Sequence, residues 1–173
     1  MFCLELAMVF CEEANQALQA GAWFAASSIA SSALESMLLS KCLLEEDKVR
    51  ALPRFETLRQ SHKGDFRQFS RSLDLGKLLG IATELSWFSD SAGLPQTMTS
   101  YLAQFLEKAP LDEVMRPFEG RTNLAQDCAD CVRKYRNLLH PAVCLKEGRQ
   151  PSKGDAMAAP FLFLIALLSL SKG

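Results

Sequence analysis

Apolar residues recur along this chain at intervals of three and four, the spacing that lines one side of an α-helix. Between Leu4 and Ala20, the residues Leu4, Ala7, Met8, Cys11, Ala14 and Leu18 form one stripe, and Glu12, Glu13 and Gln16 fall off it. That pattern predicts an amphipathic first helix, with Gly21 as its stop. A second helix is predicted from about Trp23 to Leu44. Its first half is built of small residues (Ala25, Ala26, Ser27, Ser28, Ala30, Ser31, Ser32, Ala33), which let a neighbouring helix come close. Its second half, with Leu34, Met37, Leu38, Cys42 and Leu43, offers a broad apolar face in which Glu35 stands as an isolated acid. Lys48 to Pro53 reads as the frayed end of that helix or a turn, because proline disfavours helix in the residue before it. Phe55 to Phe69 has room for a short helix.

Leu73 to Leu85 predicts a third principal helix, marked by Leu75, Leu78, Leu79, Ile81, Ala82 and Leu85. After a loop from Ser89 to Pro95, a fourth is predicted from Pro95 or Gln96 to Lys108, with Met98, Tyr101, Leu102 and Phe105 inward. Pro110 to Gly120 reads as a connection. The next helix has Asn123 as a plausible cap and Asp127 near its positive end, and should stop at Leu139 or His140 because Pro141 follows. A turn with Gly148, Pro151 and Gly154 leads to a closing helix, Asp155 to Leu170. No stretch alternates with the period of a strand. The expected fold is all-α, an up-and-down bundle of about five main helices forming a single domain over residues 1–173.

Composition narrows the function classes. With 173 residues, 49% hydrophobic and 23% charged, the chain can bury a real core. A net charge of −1 and a pI near 6.1 are not those of a dedicated nucleic-acid binder, so any such contact must use a local patch or two copies of one. The opening residues bring in acid at Glu5 and lack a signal peptide's basic start, which points to the cytoplasm and to reduced cysteines. The apolar run from Ala156 to Leu170 is short of the roughly 20 residues of a membrane span and contains Pro160, so a buried helix is expected and no membrane. Cys128 and Cys131 fit an apolar stripe, and no second cysteine pair stands at metal spacing, so packing is expected and no metal or cofactor. His62, beside Lys63 and Gly64, reads as a solvent-exposed loop residue. Phosphate loops, nucleophile elbows and paired-carboxylate motifs are absent from the sequence.

The best functional clue is Arg133-Lys134-Tyr135-Arg136-Asn137-Leu138-Leu139-His140-Pro141. On a helix, Arg133, Arg136, Asn137 and His140 share one face. An apolar stripe of Leu124, Cys128, Cys131, Val132, Tyr135 and Leu139 points about 130–140° away. The helix can then bury one side and present two guanidinium groups, an amide and an imidazole on another. Guanidinium grips phosphate, and imidazole is the side chain best suited to acid–base work near neutral pH.

Together with the early helix, the small residues leading into Ser32-Ala33-Leu34-Glu35-Ser36-Met37-Leu38, and the Ala-rich closing helix, this motif resembles the HEPN superfamily, in particular its abortive-infection-like members. The resemblance implies a helical bundle that pairs as a homodimer, with the motifs of two subunits facing across a cleft. It also implies metal-independent endoribonuclease activity of toxin or antiviral-defence type, with RNA as substrate and an antitoxin or nucleotidyltransferase-type protein as partner. In that reading His140 is general base or acid, Arg136 holds the scissile phosphate and Asn137 orients the group it serves. Arg133 and Lys134 bind substrate, and Glu35 supports the site. The family signature separates arginine and histidine by four to six residues; here three separate Arg136 from His140, and Lys134 follows Arg133. Two other readings therefore stay open. One is a non-catalytic HEPN-like module binding nucleic acid, a nucleotide or a protein through Arg133, Lys134, Arg136, His140, Lys146 and Arg149. The other is structural: Arg136 pairs with Glu35, and Asn137 and His140 close the helix.

Overall fold

The computed structural model describes residues 2–53, 55–56, 65–88, 123–150 and 152, and 156, 158–159, 162–163, 165–166 and 170 of the closing segment. No strand occurs among the described residues, and the fold is all-α. Helix α1 spans Phe2–Gln19 and α2 spans Trp23–Leu44. The turn between them is set by Gly21, whose φ of +73° lies in the left-handed region that a side chain disfavours. Gly21 N–H donates to the carbonyl of Leu18 and Ala22 N–H to that of Ala17, so the last carbonyls of α1 are satisfied as the chain reverses.

Helix α2 is central. It touches α1, and also α3 (Glu46–Arg50), α4 (Phe66–Arg71), α5 (Leu75–Glu84) and α6 (Leu124–Asn137); α5 and α6 touch each other. Its small residues permit this: Ala26, Ser27, Ala30, Ser31 and Ala33 are all buried, so neighbours approach on several sides. The Ser31 hydroxyl donates to the carbonyl of Ser28 at 2.7 Å, which removes the penalty of burying it. Lower down, Leu34 and Leu38 are fully enclosed with Leu75, Leu78, Ile81 and Val132.

The expectation of a frayed end or turn over Lys48 to Pro53 is met in part: Ala51 and Leu52 turn, but Lys48–Arg50 belong to a separate short helix. Glu45 breaks α2 at φ −107°, ψ 35°, and α3 begins anew. Glu45 ties this junction down: its carboxylate accepts from the Trp87 indole at 3.1 Å and lies 3.0 Å from Lys48 Nζ. Phe55 meets Phe69 edge-on at 4.7 Å, and Arg50 lies 5.0 Å over Phe66. The short helix foreseen between Phe55 and Phe69 is α4. It starts at Phe66 because Asp65 caps it, accepting from the Arg67 N–H at 2.9 Å. Asp74 caps α5 in the same way through the Lys77 N–H. The predicted fourth helix at 95–108, the loop and connection beside it, and His62 lie outside the described residues.

The described positions of the closing segment are helical and buried: Ala156, Ala158, Ala159, Leu162, Phe163, Ile165, Ala166 and Leu170. Among the described residues no helix is long and apolar enough to cross a membrane.

Candidate functional site

Helix α6 carries the motif. Asn123 caps it as expected, its side-chain oxygen accepting from the Gln126 N–H at 3.0 Å. The buried side consists of Ala125, Cys128, Ala129 and Val132, with Cys131 and Tyr135 half-buried beside it. Counting the two alanines turns the inward direction about 60° from the apolar stripe read off the larger residues. The turn carries Arg136 to the margin of the buried face, toward α2. Its Nη1 lies 3.1 Å from Glu35 Oε2, with the side chains 34% and 28% exposed. Glu35, an isolated acid in an apolar stretch, is thereby answered across the α2–α6 contact.

Arg133 goes elsewhere. Its stem passes over Gly76 of α5, and its Nε lies 3.3 Å from Asp130 Oδ1, one turn back on α6. The two guanidinium groups expected to act together are therefore directed at different neighbours, each beside a carboxylate. Lys134 is exposed, and Asn137 is the last residue of the helix.

The expected single face also loses its histidine. The helix was to run to Leu139 or His140, but α6 ends at Asn137, and two tighter bonds follow, Leu139 N–H to Arg136 and His140 N–H to Asn137. His140 then takes ψ 123° because the ring of Pro141 excludes the helical conformation. Pro141 is more than a stop. It is the first residue of α7, Pro141–Glu147, a helix that the sequence pattern did not predict. Gly148 closes α7 at φ +60°. His140 is thus the exposed residue capping α7, and its imidazole makes no capping hydrogen bond. Helix α7 buries none of its residues, and Leu145 is 84% exposed.

Cys128 and Cys131 pack on the core side of α6, as their place on the apolar stripe suggests. Cys128 is fully buried, and burial, with the nearby Cys131 and Asp127, pushes its thiol up to about 12. Among the described residues no group of three or more His, Cys, Asp or Glu side chains converges as metal ligands would.

A feature not anticipated from the pattern lies between α5 and α6. An open groove of about 480 Å³ is bordered by Asp74, the cap of α5, by Gly76 and Lys77 on α5, and by Gln126, Asp130 and Arg133 on α6. The signal was present in the sequence. Gly76, Gly80 and Thr83 form one row of small residues at helical spacing, and Gln126, Asp130 and Arg133 form a polar row, so two rows without large apolar side chains were available to face each other. Comparison of the chain with family models, with curated proteins and with solved structures found no match.

Proposed function

We propose that this chain is a HEPN-like helical domain that works as a non-catalytic module, binding single-stranded RNA through the cationic end formed by α6 and α7. The observation that carries this reading is the ion pair between Arg136 and Glu35. A guanidinium beside a carboxylate presents little net charge to a phosphate, so the group best placed to stabilise a cleavage transition state is already engaged. Arg133 is similarly occupied by Asp130. The exposed Lys134 and Lys146 remain on this stretch, with the imidazole of His140 between them in the chain. Two ammonium groups neutralise few phosphates, which fits weak, salt-sensitive binding better than catalysis.

A second reading, the metal-independent endoribonuclease of a toxin or defence system, is favoured by one specific fact: His140 is exposed and its side chain is not used in capping α7. The motif supplies a single imidazole, which cannot easily serve as both acid and base, so this reading requires a homodimer that brings two copies of His140 together. Incubation with labelled RNA in chelator separates the two. The module retains the RNA intact. Products ending in a 2′,3′-cyclic phosphate, lost in His140→Ala with helical circular dichroism unchanged, would replace the module with the enzyme.

A further inference from the structure

We propose that the outer face of α1 docks the α7 end of a second copy of this chain, head to tail. This goes beyond the RNA reading, although Lys146 belongs to both surfaces, and it is tested without RNA.

The first observation is what α1 leaves uncovered. The helix packs against α2 and buries Ala7 and Ala14. Met8, which its spacing puts on the apolar stripe, instead faces outward with Val9, at 61% and 50% exposed. Glu5, Glu12 and Glu13 are exposed around them, each one turn from Met8, Val9 or both. Helix α1 contains no lysine or arginine, and among the described residues no base pairs with these three carboxylates. Two apolar side chains inside three like charges are matched by a partner that brings an apolar group and positive charge together. RNA phosphates and an anionic lipid surface are repelled by this face. A second α1 would set three carboxylates against three.

The second observation is that the chain itself carries the matching group. Leu145 stands out from α7, with the exposed Lys146 beside it and the exposed Arg149 four positions on. Between residues 140 and 150 the single acid is Glu147. A helix of seven residues gains little from propensity, and α7 buries none of its side chains within its own chain. Docking on α1 supplies that missing burial.

The dimensions agree. The eighteen residues of α1 span about 27 Å and the seven of α7 about 10 Å, so α7 lies within the length of the α1 face. Leu145 then covers Met8 and Val9, and Lys146 and Arg149 meet the carboxylates. The two surfaces are different parts of the chain, so each docked copy keeps one of each kind for a further neighbour. The contact is well below the roughly 800 Å² per partner of a stable interface, so association is weak and reversible.

The test is sedimentation velocity of the full chain over a range of concentrations at low and high salt. Reversible association is expected, weakened by salt. Glu12→Lys and Lys146→Glu each set like charges across the contact. Each should weaken association by about tenfold or more, with circular dichroism unchanged. An equal mixture of the two variants should restore it, because one keeps its α7 intact and the other its α1. A chain that stays monomeric up to about 1 mM overturns the proposal. So does association that ignores salt, that either variant leaves unchanged, or that the mixture fails to restore. RNA is absent throughout, so failure here leaves the RNA reading standing.

Discussion

Arg136 and Glu35 are each about one-third exposed, so their attraction is partly screened by water. Breaking the pair with Glu35→Gln should lower stability by about 0.5–1 kcal/mol in urea denaturation. A double-mutant cycle with Arg136→Gln should return a coupling of similar size; a coupling of zero would mean the contact does not join the helices. Glu45 makes a pH prediction. Burial raises its pKa, but the hydrogen bonds from Lys48 and Trp87, and the charges of Lys41 and Lys48, outweigh that and leave the carboxyl below its ordinary 4.5. Its folded-state value is therefore the lower one. The group contributes stability in full above pH 4.5 and loses that contribution as pH falls through the depressed value. The stability gap between the wild type and Glu45→Gln should accordingly shrink on acidification; a gap that widens would reverse the assignment. Cys42 is pushed up to about 12 by burial and by the nearby Glu46, and Cys128 reaches about the same value. Iodoacetamide near neutral pH should leave both unlabelled in the folded chain and label both in denaturant, as read by mass spectrometry.

At the scale of the elements, Gly21 is the clearest test. A Cβ at that position would meet nothing within 4 Å, so any cost of Gly21→Ala comes from the backbone alone. About 1–2 kcal/mol is expected, measured by thermal or urea unfolding, and an unchanged midpoint would contradict the turn. The same local chemistry explains which helices could be read from the sequence. Both ends of α2 fall where its apolar run does, and α5 and α6 begin where Asp74 and Asn123 can cap them. Helix α3 was not legible because its start is fixed by Trp87, which lies 42 positions along the chain from Glu45. Helix α7 was legible in principle: Pro141 and Gly148 are the usual opening and closing residues of a helix. A proline read only as an ending hid it. The candidate site suffered from a related error. Weighting the large residues of α6 and overlooking Ala125 and Ala129 turned Arg136 away from the core on paper, whereas both alanines are buried and Arg136 meets Glu35 of α2.

For the molecule as a whole, the organising fact is that α2 meets α1, α3, α4, α5 and α6. Leu38, fully buried on α2, should be among the most sensitive core positions, and Leu38→Ala is expected to cost about 2–5 kcal/mol. Helix α7, by contrast, buries nothing, and truncating Leu145 should leave the unfolding midpoint nearly unchanged. The fold therefore has a firm centre and leaves α7 exposed, with Lys134 and His140 beside it, which is the end that the proposed RNA binding would use. The most direct measurement of that role is fluorescence anisotropy of a labelled single-stranded RNA titrated with the chain over a range of salt concentrations. Two exposed ammonium groups predict a log–log slope of about −1.4, lost together with binding in the Lys134→Ala, Lys146→Ala double variant, with the RNA still full-length afterwards. Affinity that ignores salt, survives the double variant, or ends in cleaved RNA would contradict the account.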